Sequence, residues 1–201
     1  MATTRNQRLG IFLALALVMA ATRVHLSLFH HDVWDASWGI FFLAGFWLRG
    51  SARWAFPLLI AEAVLIDYLV ISSQGINFWE HYCVSAAYWF LVPSYFSLWL
   101  GGSWLARKPL GFNVSSLARA AGALLASWAA CYVISNGSFY WLSNSVPQPR
   151  SVGAWVGNLG DWYLFFLQTT ALYVVLGLVL HALASQLARS LGHAGHTHSA
   201  R

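Results

Sequence analysis

Apolar residues in this chain gather in long runs, and the runs are separated by short breaks rich in Arg, Asp, His and Gly. Six runs can be drawn, at residues 9–28, 38–48, 55–71, 83–105, 117–135 and 161–183. A helix that crosses the hydrocarbon core of a bilayer needs roughly 20 consecutive apolar residues, and five of the runs come close to that length. The second is short and must draw on flanking residues. The breaks at 30–37, 72–81 and 136–154 read as loops; the last is the longest and carries Pro147, Pro149 and Arg150. The pattern therefore predicts an all-α polytopic membrane protein of six transmembrane helices. A single domain covers 1–190, followed by a polar tail without regular structure at 191–201. The stretch 9–19 followed by Ala20 and Ala21 also has the outline of a signal peptide. The apolar character persists through Val24, Leu26, Leu28 and Phe29, which favours a retained span.

Composition agrees with the run pattern. Hydrophobic residues make up 59% of the 201 positions and charged residues 8%, against roughly 25% charged in soluble domains. The net charge of +5 does not point to nucleic acid, because the basic residues lie in scattered pairs between apolar runs rather than in one patch. Their distribution is a topology signal. Six spans put Arg5, Arg8, Arg49, Arg53, Arg107, Lys108, Arg119, Arg189 and Arg201 on one side, and only Arg23 and Arg150 on the other. The positive-inside rule then predicts both termini in the cytoplasm, with Asp32, Asp35, Glu80 and Asp161 at the outer ends.

Small residues at helical spacing mark close packing, since lipid gives helices no hydrophobic drive to associate. The first run contains Ala16 and Ala20 four residues apart. The fifth contains Ala118, Gly122, Ala126 and Ala130 along one face, a stripe expected to pack within the monomer.

Chemistry-bearing residues concentrate at the outer end. His30, His31, Asp32, Asp35, Glu80, His81, Cys83, Asn136, Asn144 and Asp161 lie there among aromatic residues that include Trp34, Tyr82 and Tyr88. Part of that aromatic content is the interfacial belt of any membrane protein. The asymmetry with the cytoplasmic end suggests an outward pocket for a large planar or amphipathic ligand. Cys83 is placed at the head of the fourth helix, where the N-terminal dipole would favour a thiolate, a soft ligand for a transition metal. Cys131 lies deep in the fifth run and reads as a buried hydrophobe. The two cysteines differ in depth, which argues against a disulfide. The histidines lack zinc-site spacing, and His25 and His181 fall at opposite ends of the bundle, where they cannot ligate one haem. Asp67 and Glu62 are intramembrane carboxylates. Such groups are expected to be functional and partnered, and Arg23 is at the right depth for Asp67. Their five-residue spacing turns the two carboxylates about 140° apart on a helix, so they do not form a dyad. The tail histidines His193, His196 and His198 read as part of a polar end. No Walker A loop, GxSxG elbow or kinase motif occurs, so no ATP site is expected in this chain.

A chain of about 200 residues in six spans, with outer loops around a pocket and an Ala16-x-x-x-Ala20 pair in its first helix, resembles the substrate-binding S-components of energy-coupling-factor vitamin transporters. The His30–His31–Asp32 loop and the His81–Tyr82–Cys83 approach to the fourth span resemble the solitary BtuM-type cobalamin transporters within that group. The resemblance implies a bacterial inner-membrane protein that binds cobalamin and mediates its uptake. It implies that Cys83 ligates the corrinoid cobalt and assists removal of cyanide from cyanocobalamin. It implies further that His30, His31, Trp34, Asp67, His81, Tyr82 and Tyr88 surround the corrinoid, and that a coupling subunit docks at Ala16 and Ala20. Two other readings of the residues remain open: an S-component for another vitamin, or a membrane thiol or redox enzyme using Cys83 with His81 or His31 as base.

Overall fold

The computed structural model describes residues 4–28, 35–111 and 113–198. Within them the chain is all-helical, with six α-helices: α1 (Arg5–Leu28), α2 (Ser37–Trp47), α3 (Ala52–Ser73), α4 (Leu91–Leu105), α5 (Val114–Leu142) and α6 (Val152–His198). Four of them, α1, α3 together with the turn before it, α5 and α6, are long and apolar enough to cross a membrane. Their outward faces are apolar as well: Leu17 is 70% exposed and Leu117 71% exposed. A soluble protein rarely leaves so continuous an apolar surface uncovered.

The short second run forms the centre of the bundle. In α2 every residue from Ser37 to Phe46 is buried, and the helix packs mainly against α4, then against α6, α1 and α3. Enclosed by protein, α2 need not match the bilayer thickness, which explains its length. Its start lies deep because Arg23 and Thr22 of α1 hold it there: the Ala36 amide donates to Thr22 Oγ1 at 3.2 Å, and Arg23 Nη1 donates to Ser37 Oγ at 2.7 Å.

Close approach of α2 and α4 depends on two glycines. A Cβ on Gly45 would lie 2.1 Å from the Trp99 carbonyl oxygen, and one on Gly102 would lie 1.9 Å from that of Phe42. Ser103 Oγ donates to the Gly45 carbonyl at 3.0 Å across the same contact. Phe41, Phe42, Leu98 and Trp99 fill the surrounding core without solvent exposure beyond 1%.

The small-residue stripe of α5 lies on the other side of its helix. Ala118, Gly122, Ala126 and Ala130 are all exposed, and no atom lies within 4 Å of a Cβ built on Gly122. The expected packing of this stripe within the monomer is therefore overturned. The face that α5 buries carries Ala120, Ala123, Leu124, Ser127, Trp128 and Cys131. Trp128 stacks on Tyr132 and meets Tyr163 of α6, while Ser127 meets Gly101 of α4, whose Cβ would lie 2.3 Å from Ser127 Oγ. On α1, Ala16 and Ala20 are half-buried at the edge of the face that sends Leu15 and Met19 into the core.

The longest expected loop is also shorter than the sequence suggested. Helix α5 runs on to Leu142 and α6 begins at Val152, leaving 143–151 as the connection. Asn136, expected in the loop, sits in α5 and ties it to α6: its Nδ2 donates to Asn158 Oδ1 at 2.9 Å and its Oδ1 accepts from Trp155 Nε1 at 3.1 Å. Arg150 donates to the carbonyls of Trp141, Ser143 and Val146, capping the open end of α5 as basic side chains do at helix C-termini. At the other extreme, α6 continues helical to His198, through residues where the sequence suggested an irregular tail.

Basic residues collect at one end of the bundle, where α2 and α4 end and α3 and α5 begin. Arg49 Nη1 donates to the Ala106 carbonyl there at 3.5 Å. The opposite end holds a cavity.

Candidate functional site

The cavity, of about 530 Å³, opens at the end where α1, α3 and α5 finish. That volume falls within the range of small-molecule sites. Its floor is built on Arg23, a charge inside an apolar helix that must find partners. The guanidinium takes Asp67 of α3 in a bidentate pair, Nε to Oδ1 at 2.7 Å and Nη2 to Oδ2 at 2.8 Å. Its Nη1 reaches Asp35 Oδ2 at 3.2 Å, besides Ser37, and approaches the Tyr95 hydroxyl at 3.5 Å. Tyr88 donates its hydroxyl to Asp67 Oδ2 at 2.7 Å. One arginine thus joins α1 to α2, α3 and the start of α4. Asp35 in turn accepts from the Ser37 amide at 2.9 Å and the Ser37 hydroxyl at 2.6 Å, a carboxylate set at a helix start where its charge is favoured.

The rim carries His81, Tyr82 and Cys83. Gly75, with φ of 74°, ends α3 in the left-handed conformation that favours glycine. A 3₁₀ turn (Phe78–Glu80) follows, capped by Asn77 Oδ1 accepting from the Trp79 amide at 3.1 Å. The chain then turns at His81, whose carbonyl accepts from the Val84 amide at 2.8 Å. A second 3₁₀ turn (Ala86–Phe90) leads directly into α4. Cys83 therefore sits in the turn before the helical segment and not at a helix N-terminus, which corrects the expected dipole stabilisation of its thiolate. Burial pushes the Cys83 thiol above its ordinary pKa; the Tyr82 hydroxyl works against that shift and the Asp67 charge adds to it. The Tyr82 phenol is raised in turn by its hydrogen bond with Cys83. These surroundings favour the thiol form of Cys83 over the thiolate. Ser145 Oγ donates to the Tyr82 carbonyl at 3.2 Å, so the 143–151 connection braces this rim.

His81 is oriented by the backbone. Its Nδ1 accepts from the Cys83 amide at 3.3 Å, which assigns the proton of the neutral ring to Nε2. The ring lies 4.4 Å from that of Tyr82, centroid to centroid.

Of the residues singled out in the sequence, Asp67, His81, Tyr82, Cys83 and Tyr88 line this one cavity. His30, His31 and Trp34 lie outside the described residues. Cys131 is buried in α5, and both cysteines are free. His181 stands at the far end, where it accepts from Trp47 Nε1 at 3.3 Å. Asp35 and Arg23 form the floor but were not among the predicted ligand contacts. Arg23 carried a signal, being a charge in an apolar run, whereas Asp35 looked like any loop acid. Ser135 and Phe139 are also on the wall; Ser135 closes the fifth run, whereas Phe139 belongs to the stretch read as loop and could not have been placed.

Among the described residues no set of three or more His, Cys, Asp or Glu side chains converges as a chelating group. Cys83 is a single soft donor on the wall of a cavity whose floor is polar. Neither the protein-family models nor the curated proteins contain a match to this chain.

Proposed function

We propose that this chain is a six-span transporter of the bacterial inner membrane that binds cobalamin in the cavity described above and mediates its uptake. The observation that carries the reading is the Cys83 thiol on the cavity wall, next to His81 and Tyr82 and above the Arg23–Asp67 floor. In this reading α2 and the segment 86–105 complete six crossings. The basic end faces the cytoplasm by the positive-inside rule, and the cavity faces outward. Corrinoid enters with cyanide on cobalt. The Cys83 sulfur gives an electron pair to cobalt, cyanide leaves with the pair that held it, and the thiol proton goes with it as hydrogen cyanide. A coupling subunit would dock at Ala16 and Ala20, whose half-buried positions leave part of each on the α1 surface.

The geometry speaks against a thiol enzyme activated by His81. An activated nucleophile needs a base within hydrogen-bond reach of the thiol, and the basic Nδ1 of His81 is taken by the Cys83 backbone amide.

The test is the visible spectrum of the protein purified from cells supplied with cobalamin. A corrin spectrum that stays with the protein through purification is the expected result. A colourless protein that also fails to take up cyanocobalamin in solution would rule the reading out.

A further inference from the structure

The floor of the cavity holds two carboxylates and one guanidinium, and four of the five guanidinium N–H donors are already used. Arg23 donates through Nε, Nη1 and Nη2 to Asp67, Asp35 and Ser37. An anionic ligand would find no free arginine fork there. The acceptors are not used up. A carboxylate oxygen takes about two hydrogen bonds. Among the described residues, Asp35 Oδ1 has both from Ser37, but Asp35 Oδ2 has one, from Arg23. Asp67 Oδ2 has two, from Arg23 and Tyr88, and Asp67 Oδ1 has one. Both residues line the cavity. Their side chains are 33% and 20% exposed, against 12% for Arg23. The open positions on the two carboxylates are acceptors, and the formal charge of the three groups is −1.

We infer that Asp35 makes this cavity selective for ligands that present neutral or cationic N–H donors, and that it rejects carboxylates. Asp67 is neutralised by its bidentate partner. Asp35 is the carboxylate in excess, more exposed, and fixed by Ser37 at the start of α2 so that it cannot turn away. The inference rests on the corrinoid reading and sharpens it: the floor would take a rim carboxamide of the corrin and repel the same position as a carboxylate. A like charge brought within hydrogen-bond range of Asp35, in surroundings of effective dielectric near 20 or above, weakens binding by about tenfold or more.

The test uses the full-length protein in detergent, titrated with cyanocobalamin and with each of its separated monocarboxylic acids, made by hydrolysis of single rim amides. The expected result is that at least one isomer binds about tenfold more weakly than cyanocobalamin, and that this gap closes to within about threefold in Asp35→Asn. That variant keeps an oxygen for the Ser37 donors, and a thermal midpoint in detergent close to that of the native protein reports that it is folded; Asp35→Glu, which keeps the charge, should keep the gap. Equal binding of every isomer by the native protein overturns the inference. So does a gap that persists in a folded Asp35→Asn. Failure of cyanocobalamin itself to bind the native protein overturns the corrinoid reading instead, so the two failures are distinct.

Discussion

In the proposed reading Cys83 bears most of the functional weight, and its surroundings set how it would act. A thiol raised by burial and by the Asp67 charge has to lose its proton before sulfur can bind cobalt. The reactive thiolate fraction then grows about tenfold per pH unit for as long as the pH stays below the thiol pKa. The rate of the spectral change on mixing with cyanocobalamin should accordingly rise steeply from pH 6 to pH 8, in stopped or manual mixing followed by absorbance. A rate that is flat over that range would mean a preformed thiolate and a different environment from the one described. Cys83→Ala should abolish both the spectral shift and cyanide release, because no other soft donor lines the cavity among the described residues. Cys131→Ala should retain both, since that side chain is buried in α5 away from the cavity wall. The grouping of Cys83, His81, Tyr82, Tyr88 and Asp67 was legible in the sequence because the chain's polar residues cluster at helix ends of one side. The Arg23–Asp67 pair was legible for a stricter reason, that an intramembrane charge must have a partner. Asp35 was not, because nothing in a polar loop says which acid turns inward. The thiol's protonation was misjudged because it hinged on where a helix begins, and helix boundaries are among the least certain features read from sequence.

At the scale of elements, the bundle depends on which small residues meet a neighbour. Spacing in the sequence drew attention to Ala118, Gly122, Ala126 and Ala130, yet these face outward, and the contacts that bring helices together are Gly45 with Trp99, Gly102 with Phe42, and Gly101 with Ser127. A stripe reveals that a face is small; it does not reveal whether another helix lies against it. The two cases separate by substitution. At Gly45 or Gly102 an added methyl meets backbone, which cannot rotate away as a side chain could. Overpacking of this kind costs roughly 1–3 kcal/mol or more, so Gly45→Ala and Gly102→Ala should each lower the thermal midpoint in detergent and reduce the yield of folded protein. Gly122→Ala meets nothing and replaces a poor helix former with the best one, worth up to about 1 kcal/mol, so its midpoint should stay or rise. A midpoint for Gly102→Ala equal to that of Gly122→Ala would contradict the α2–α4 contact. The shortness of α2 follows from the same packing: a helix enclosed on all sides reads in the sequence as a weak span, although it is the most buried element of the fold.

At the scale of the whole molecule, everything functional depends on which way the bundle faces, and orientation is a property of charge rather than of packing. Arg5, Arg8, Arg49, Arg53, Arg107, Lys108 and Arg119 stand at one end, with Arg23 and Arg150 at the other, and both of the latter are bound inside the protein. Arg23 is spent on the cavity floor and Arg150 on carbonyls near the end of α5, so neither opposes retention of the basic end in the cytoplasm. Single cysteines report the outcome when introduced into a chain that also carries Cys83→Ala and Cys131→Ala. Ser73 and Ser145 are exposed near the cavity end, and Lys108 is exposed at the basic end. Ser103 would report poorly, because its hydroxyl is bonded to the Gly45 carbonyl between two helices. In intact cells a membrane-impermeant thiol reagent should label Ser73→Cys and Ser145→Cys. Lys108→Cys should react only after the membrane is permeabilised. Labelling of Lys108→Cys in intact cells, with the other two silent until permeabilisation, would invert the bundle. The cavity would then open to the cytoplasm, Cys83 would meet a corrinoid only after it had crossed the membrane, and uptake through this site would have to be abandoned in favour of cytoplasmic binding.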